Sequence, residues 1–347
     1  MLKIAVLSNF FSEHQHKEVE SDLMDTANSV KKALESFGHC VEIYDVNEKT
    51  FDILRKSNID FAFNVCERFK GVSFFEPHVA AMLELIGIPY TGSGPLSLAL
   101  CMNKIKVKEI LSHNGIPTPK FQVFYSRNQR LNPDLQFPLI VKPSCNDNSI
   151  GIDNNSVVYN ERDLRRRVSF VTNTYDQPAL VEEFMPGREF AVGVIGNKNP
   201  KALPVSEYMF VDFPPETHQI LSYEAKWAVD SVTYNGSVEV CPAQIPKYLE
   251  ARMKRMAMEA FRILEVRDYG RIDIRIGRDG NPMVLEMNPN PGISADNTIP
   301  KAAISLGLSY NEMINEILVA ALNRHNIKHN LTSKIFDRPE EIKLVEE

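Results

Sequence analysis

Oxygen-bearing side chains that could hold a divalent cation gather near the end of the chain. Residues 270–276 and 283–288 alternate polar and apolar positions and are separated by turn-forming residues, which predicts a β-hairpin. Asp273 on the first strand would then converge with Glu286 and Asn288 on the second. Two carboxylates and an amide oxygen are hard ligands of the kind that Mg²⁺ prefers. The hairpin therefore predicts a magnesium site beside a phosphate-bearing ligand.

The other face of this hairpin is apolar and is expected to face the core. It consists of Ile272, Ile274, Ile276, Met283, Leu285 and Met287. A plain surface hairpin with its polar face in water is the alternative. Residues 289–292, Pro-Asn-Pro-Gly, favour the ligand site, because a rigid turn ending in glycine lets the backbone approach a bound molecule.

The composition limits the class of protein. The chain has 347 residues, of which 44% are hydrophobic and 24% charged, as in a soluble chain of two or three domains. A net charge of −6 without a long basic run argues against nucleic acid as a main partner. No apolar run suits a signal peptide or a bilayer span, so we expect a cytoplasmic protein without a membrane partner. The five scattered cysteines form no CxxC and support neither a disulfide framework nor a zinc site.

The first part of the chain alternates strands and helices. The pattern predicts strands at 3–8, 41–46 and 59–65 and helices at 22–37, 51–57 and 76–85, hence a doubly wound parallel sheet. Ligands bind at the carboxyl ends of such strands, where the loops 9–18 and 66–76 are polar. A purely structural role for this sheet is the alternative, and no G-x-G-x-x-G follows the first strand.

The middle of the chain carries lysines that could contact phosphate. One helix is predicted over 96–114; its Lys104, Lys106 and Lys108 have the density of a solvated face. Strands are predicted at 121–125 and 138–142, and the small polar loop 142–151 begins with Lys142. Such a loop can cradle phosphate through its backbone N–H groups, although a solvent loop is the alternative.

Acidic residues follow on the next strands. A helix at 161–174 precedes strands at 179–184 and 189–195, which carry Glu182 and Glu189. Strand-edge backbone can read an adenine edge and carboxylates suit ribose hydroxyls, although edge-strand glutamates need no such role. The irregular stretch 211–223 leads into a segment with Lys226 and Trp227, and a loop of this length favours a functional role. Helices are predicted at 246–264, 300–307 and 310–324, and the charged tail 327–347 is expected to be peripheral.

Taken in order, these segments resemble the ATP-grasp ligases, and among them the D-alanine–D-alanine ligases. Residues 90–93, Tyr-Thr-Gly-Ser, and 115–117, Gly-Ile-Pro, add to the similarity. The resemblance implies an α/β ATP-grasp fold: a doubly wound preATP-grasp domain over 1–95, a small central α+β subdomain over 96–181, a C-terminal α+β subdomain with an antiparallel sheet over 182–325, and a tail over 326–347.

The resemblance also implies roles for individual residues. The implied ATP contacts are Lys104, Lys142, Ser149, Glu182, Phe184, Met185, Glu189, Lys226 and Leu285. The implied metal ligands are Asp273, Glu286 and Asn288, for two Mg²⁺ ions with Mn²⁺ as an alternative. The implied catalytic groups are Arg271, Lys226 and the Gly292 N–H. The implied substrate contacts are Glu76, Asn148, Trp227, Arg271 and Asn297, with Glu13 or Glu18 as alternatives on the first loop.

The implied reaction joins a carboxylate to an amine. The carboxylate attacks the γ-phosphate of ATP, and an amine then attacks the acyl phosphate, whose oxyanion Arg271 and Gly292 would stabilise. The segment 211–227 would close over the site and exclude water. The partners are a small carboxylate and an amino acid, and the family's habit of pairing through its first domain leaves a homodimer open.

Departures from the family pattern concern the substrate. A serine of the family is replaced by Asn148, a tyrosine by Trp227 and a second serine by Asn297. These changes favour a ligase that couples an amino acid to a carboxylate other than D-alanine, for example serine or threonine to a mycosporine-type core. A genuine D-alanine–D-alanine ligase is the alternative, and a non-catalytic nucleotide-binding protein is a third.

Overall fold

The computed structural model describes residues 1–9 and 17–336, which form thirteen strands and eleven α-helices. The first region contains β1 Lys3–Ser8, α1 Lys17–Ser36, β2 Cys40–Asp45, α2 Thr50–Lys56, β3 Phe61–Asn64 and α3 Glu76–Ile86. The second contains α4 Pro95–Met102, α5 Lys104–His113, β4 Phe121–Phe124, β5 Leu139–Pro143, β6 Val157–Val158, α6 Glu161–Tyr175 and β7 Ala179–Glu183. The third contains β8 Glu189–Ile195, β9 Lys201–Ala202, β10 Ser206–Phe210, α7 Tyr223–Trp227, α8 Val232–Gly236, β11 Ser237–Val240, α9 Lys247–Ile263, β12 Tyr269–Ile276, β13 Pro282–Pro289, α10 Thr298–Ser305 and α11 Tyr310–Arg324.

The first sheet is parallel, in the order β2-β1-β3, as the strand and helix alternation predicts. One face packs on α1 and on α11 from the other end of the chain, so the first and last regions share one core. The helix α1 begins at Lys17, five residues before its predicted start, so the first loop is shorter than expected. Of the two acids expected on that loop, Glu13 lies outside the described residues, and Glu18 belongs to α1.

The single helix expected over 96–114 is wrong, because the chain breaks into α4 and α5 at Asn103. Asn103 is extended, with φ −99° and ψ 96°, and its side chain accepts hydrogen bonds from the N–H groups of Ile105 and Lys106. This is an N-cap, which satisfies backbone donors that a new helix leaves unpaired. The break places Lys104 at the first position of α5.

The second sheet is antiparallel in the order β4-β7-β5-β6, with α6 packed against it. The subdomain boundary predicted between 181 and 182 falls inside β7. Glu182 and Glu183 still pair with β5, so the strand leaves this sheet only after Glu183.

The third sheet has the order β11-β10-β8-β12-β13, with β9 on β8. The helix α9 covers one face through residues at helical spacing: Met253, Met256, Ala257, Ala260 and Phe261. These side chains contact the alternate residues of β8 and β12 that point toward α9. The opposite face of β12 is therefore left for polar side chains.

The apolar pattern predicted for β13 is wrong in part. Val284 and Met287 are buried, whereas Met283 and Leu285 are only half-buried. The register explains this difference, since Asp273 pairs with Glu286 but the next residue, Ile274, pairs with Val284. The extra residue, Leu285, forms a β-bulge, which reverses the inward and outward positions along the strand.

The tail prediction is wrong for residues 327–336. Ile335 is buried, Leu331 and Phe336 pack against the shared core, and Glu316 of α11 accepts hydrogen bonds from the Ser333 hydroxyl and the backbone N–H groups of 334 and 335. Residues 337–347 lie outside the described residues. Within the described residues, every helix is too short or too polar to cross a bilayer.

Candidate active site

The polar face of the β12–β13 hairpin carries the predicted cation ligands. Asp273 lies directly opposite Glu286, and Arg271 lies opposite Asn288. The Asn288 amide donates to Asp273 Oδ2 at 2.9 Å, and Arg271 donates to both oxygens of Asp273, at 2.8 and 3.0 Å. The predicted convergence of Asp273, Glu286 and Asn288 is confirmed. Burial raises the pKa of Asp273, although Arg271 opposes the rise.

The turn after this hairpin is held by the segment 90–94 of the first region. Asn290 adopts a left-handed conformation with φ 50°, and its side-chain oxygen accepts a hydrogen bond from the Ser93 N–H at 2.7 Å. A Cβ at Gly92, where φ is +94°, would lie 2.4 Å from that oxygen. Glycine is therefore required at position 92, and the turn cannot move independently of the first region.

A cavity opens in front of this turn and brings the three regions together. Its lining includes Glu67, Glu76, Lys104, Asn146, Asp147, Asn148, Lys226, Arg271, Glu286, Asn288, Asn290 and Gly292. Lys104 Nζ lies 3.5 Å from Glu286 and donates to the carbonyl of Asn146 at 2.7 Å. Burial by itself would raise the pKa of Glu286, but the surrounding lysines and Arg271 lower it to about 2. Glu286 is consequently ionised at neutral pH.

Two further carboxylates enter the cavity from the loop after β3 and the start of α3. Burial raises the pKa of Glu76 well above its usual range, and the negative charges of Asp147 and Glu67 raise it further. Among the described residues, no group donates a hydrogen bond to the buried Oε1 of Glu76. Glu67 reaches the hairpin turn, since its Oε1 would lie 3.5 Å from a Cβ on Gly292. This end of the cavity favours a positively charged group of a ligand.

A cluster of buried ion pairs joins α5, β5 and β7. Glu182 is in contact with Lys142 through one oxygen and with Lys108 at 2.7 Å through the other. Lys108 is fully buried, so its predicted place on a solvated face is wrong, whereas Lys106 is exposed as expected. Glu189 is also buried and pairs with Arg275 at 3.3 Å.

Two loops meet over the opening. The Trp227 indole N–H donates to the Asn148 carbonyl at 3.1 Å, and the Ser149 hydroxyl donates to the Leu221 carbonyl at 2.7 Å. The Tyr223 N–H donates to the Ile152 carbonyl at 3.0 Å. Asn148 and Ser149 adopt left-handed conformations, with φ 53° and 59°, which point their carbonyls and side chains toward the other loop. We name residues 145–152 the lid and residues 211–227 the closing loop.

Comparison with known proteins identifies the family. The family model for the D-Ala–D-Ala ligase C-terminus matches residues 110–319. A D-alanine–D-alanine ligase of Bordetella pertussis is 33% identical over 88% of this chain and 91% of its own length. The chain belongs to the D-alanine–D-alanine ligase family of ATP-grasp ligases.

Other similar proteins also match most of the chain. A D-alanine–D-alanine ligase of Pelotomaculum thermopropionicum is 28% identical over 94% of this chain and 99% of its own length. An uncharacterised protein of Sinorhizobium fredii, y4sG, is 34% identical over 86% of this chain and 88% of its own length. The crystal structure of D-alanine–D-alanine ligase from Bacillus anthracis complexed with ATP superposes with a TM-score of 0.72 over 94% of this chain, at 24% identity. The predicted ATP-grasp fold is confirmed.

The structure brings together about half of the residues predicted for an ATP-grasp site. Those that line the cavity are Glu76, Lys104, Asn148, Lys226, Arg271, Glu286, Asn288 and Gly292. The others are not among the lining residues: Lys142, Ser149, Glu182, Phe184, Met185, Glu189, Trp227, Asp273, Leu285 and Asn297. Asn297 precedes α10, and its side-chain oxygen would lie 2.5 Å from a Cβ on Gly292.

Sequence reasoning missed several residues of the cavity wall, among them Glu67 and Asp147. Glu67 belongs to the polar loop 66–76 at the carboxyl end of a parallel strand, and that position is the signal that could have identified it. Lys108 could also have been found. It lies at helical spacing between Ile105 and Leu111, which are both buried, so it shares their inward face.

The donor set suits a divalent cation bridged to phosphate. Within residues 1–9 and 17–336, no three His, Cys, Asp or Glu side chains are arranged to hold a metal on their own. Asp273, Glu286 and Asn288 supply two carboxylates and one amide oxygen, so the other ligands must come from substrate and water. Mg²⁺ is commonly bound in this way in phosphate-handling enzymes.

Proposed function

We propose that this ATP-grasp ligase uses ATP and Mg²⁺ to join a carboxylate to the amine of an amino acid, and that the carboxylate is not D-alanine. The observation that carries the ligase chemistry is the cavity in which Lys104, Lys226 and Arg271 face Glu286 and Asn288. Three cations beside a cation-ligand pair match the charge that develops on a transferred phosphoryl group.

The nucleotide would lie between the second and third sheets. Lys104, Lys142 and Lys226 would neutralise its phosphates, with Ser149 on the lid above them. Phe184 and Met185 are buried just after β7, where their backbone groups and Glu182 would read adenine. Glu189 would accept from the ribose and Leu285 would contact the base. Mg²⁺, held by Asp273, Glu286 and Asn288, would offset negative charge on the phosphates; two ions are proposed, with Mn²⁺ as a substitute.

The reaction would proceed in two steps. A carboxylate oxygen attacks the γ-phosphorus, the bond to the β–γ bridging oxygen breaks, and ADP leaves with an acyl phosphate remaining. The amine nitrogen then attacks the acyl carbon, loses a proton, and expels inorganic phosphate as the amide forms. Arg271 and the Gly292 N–H would stabilise the oxyanion between these events, a type of contact that is typically worth about 10²- to 10³-fold in rate. The closed lid and closing loop would keep water from the acyl phosphate.

The acyl donor is proposed to carry a positive charge near its carboxylate. Glu76 and Glu67 lie at one end of the cavity. Oε1 of Glu76 has no hydrogen-bond partner among residues 1–9 and 17–336, so it is an acceptor that an ammonium group would satisfy. The residues that depart from the family pattern gather nearby: Asn148 lines the cavity, Trp227 bonds to Asn148, and Asn297 contacts Gly292. The acidic end of the cavity fits the ammonium group of any α-amino acid, D-alanine included, so the three replaced residues alone support a substrate other than D-alanine.

Synthesis of D-alanyl-D-alanine is the second candidate. Its support is the name and activity of relatives that match nearly the whole chain at 28–33% identity.

Phosphate release with ATP and Mg²⁺ tests both candidates. The protein is incubated with no amino acid, with D-alanine, with each of the common L-amino acids, and with each amino acid together with a panel of other carboxylates, and the products are identified by mass spectrometry. We expect release that requires an amino acid together with a second carboxylate. Release with D-alanine alone, accompanied by the dipeptide mass, would establish the second candidate instead.

A further inference from the structure

Lys108 is the only lysine of α5 that is fully buried, and it is tied to both sheets that enclose the cavity. Its ammonium lies 2.7 Å from Glu182 Oε2 on β7 of the second sheet. It also donates to the Thr118 hydroxyl at 2.7 Å. A charged group is costly to bury unless each of its partners is well placed, so this position is defined by its contacts.

Thr118 extends the connection to the third sheet. Its hydroxyl donates to the Val284 carbonyl at 2.7 Å, while the Val284 N–H donates to the Pro117 carbonyl at 2.8 Å. Val284 is the last residue of β13 before the bulge at Leu285, and Glu286 follows that bulge. Lys108 therefore links Glu182 to the strand that presents Glu286.

The charges around Glu182 show what Lys108 contributes in addition to Lys142. Lys142 and Lys108 each contact a different oxygen, so the carboxylate plane is held from both sides. Oε2 is buried 2.7 Å from the Lys108 ammonium, so this oxygen has an ion-pair partner. A carboxylate has about four acceptor sites, so an acceptor position remains for a ligand donor. Without Lys108, Lys142 would be the only cation of the described residues in contact with Glu182. The ion pair with Glu182 would then compete with phosphate for the Lys142 ammonium.

We propose that Lys108 is a positioning residue for the nucleotide: it orients Glu182 to accept a hydrogen bond from the amino group of adenine and leaves Lys142 available to phosphate. This inference rests on the proposed function. Burial lowers the pKa of Lys108, and the negative charges of Glu182 and, more weakly, Glu286 oppose that change.

The test compares Lys108→Met with Lys106→Met, the exposed lysine two residues earlier on the same helix. The dissociation constants of MgATP and MgGTP are measured by calorimetry for the wild-type protein and both variants. Methionine keeps an unbranched apolar side chain, one atom shorter than lysine, and removes the ammonium. We expect Lys108→Met to weaken ATP binding about 10- to 100-fold, the usual effect of losing a bond to a charged group, and Lys106→Met to leave it unchanged.

Base selectivity separates positioning from simple loss of stability. Adenine offers an amino donor where guanine has a carbonyl oxygen, so a misplaced Glu182 should bring the ATP and GTP constants closer together. A structural role alone would lower the melting temperature and the fraction of active protein but leave the ratio of the two constants unchanged. An unchanged ratio of the two constants in folded Lys108→Met would overturn the inference, whether or not ATP binding weakens.

Thr118→Val provides the second variant. Valine has the shape of threonine but removes one partner of Lys108 and the bond to Val284, while Lys108 and Glu182 stay paired. We expect a loss of about threefold to tenfold in ATP affinity with reduced selectivity, and no loss would overturn the inference even if Lys108→Met fails to fold. Failure of the wild-type protein to bind MgATP would instead contradict the proposed function.

Discussion

Replacing Trp227 by phenylalanine should loosen the closing loop while leaving its fold intact. The indole N–H donates to the Asn148 carbonyl at 3.1 Å, whereas phenylalanine supplies an aromatic ring but cannot donate. A single neutral hydrogen bond contributes about 0.5–1.5 kcal/mol. The equilibrium for opening the lid from the closing loop should therefore rise about 2- to 12-fold.

Hydrogen exchange can measure this opening without knowledge of the substrate. The Tyr223 N–H donates to the Ile152 carbonyl, and the His218 N–H donates to the Asn154 side chain at 2.8 Å, so both amides are protected by contacts with residues at or just after the lid. In Trp227→Phe their exchange should accelerate by the same factor. Amides within β7, which pair inside a sheet, should exchange as before.

Two further variants sharpen the result. Ser149→Ala removes the other cross-loop bond, from its hydroxyl to the Leu221 carbonyl, and should accelerate exchange by a similar factor. If both bonds hold one closed state, the double variant should show roughly the product of the two factors. Tyr248→Phe is the control, because the Tyr248 side chain is exposed on the outer face of α9, and it should have no effect on this exchange. Unchanged exchange at residues 218 and 223 in Trp227→Phe would refute the idea that the indole holds the closing loop.

Three other predictions follow from the cavity. Asp273→Asn and Glu286→Gln should each lower ligase turnover at least about 100-fold, because a bound cation supplies several kcal/mol; normal turnover in either folded variant would contradict the ligand assignment. Asp273→Asn should also lower the melting temperature, because it removes the carboxylate that pairs with Arg271. Glu76→Gln should raise the melting temperature at pH 8, because a pKa raised in the folded state means that Glu76 contributes full stability only below its usual pKa of 4.5 and loses that contribution as the pH rises. The gain in melting temperature should therefore shrink toward pH 4, while the KM for the acyl donor increases. A lower melting temperature of Glu76→Gln at pH 8 would argue against a destabilising carboxylate at this position. Gly292→Ala should fold but lose turnover, since its Cβ would meet the Asn297 oxygen at 2.5 Å, and Asn297→Ala in the same protein should restore part of the activity if that clash is the cause.

The hairpin was predictable because its geometry is local. Alternating polarity along two strands and a short turn determine which side chains share a face, and the structure pairs Asp273 with Glu286 as expected. The exception is the bulge at Leu285, which alternation alone does not reveal. Its effect is to turn Val284 inward, and the hydrogen bonds between Val284 and residues 117–118 stabilise this orientation.

Other features depend on contacts between residues far apart in the sequence. Lysine is among the residues least often buried, so Lys108 is predicted on a surface unless its partner Glu182, far along the chain, is known. The break at Asn103 uses a residue with good capping chemistry, but its helical neighbours mask that signal. Residues 327–336 look peripheral by composition, yet Glu316 supplies acceptors that hold them against the core.

The most direct test of the proposed function is phosphate release dependent on ATP and Mg²⁺, measured together with product mass. With an amino acid and its cognate carboxylate present, the account predicts one phosphate released for each amide formed, and no release in Glu286→Gln. Release of phosphate without any new amide across the substrates tried, or full activity without a divalent cation, would contradict a carboxylate–amine ligase that works through an acyl phosphate.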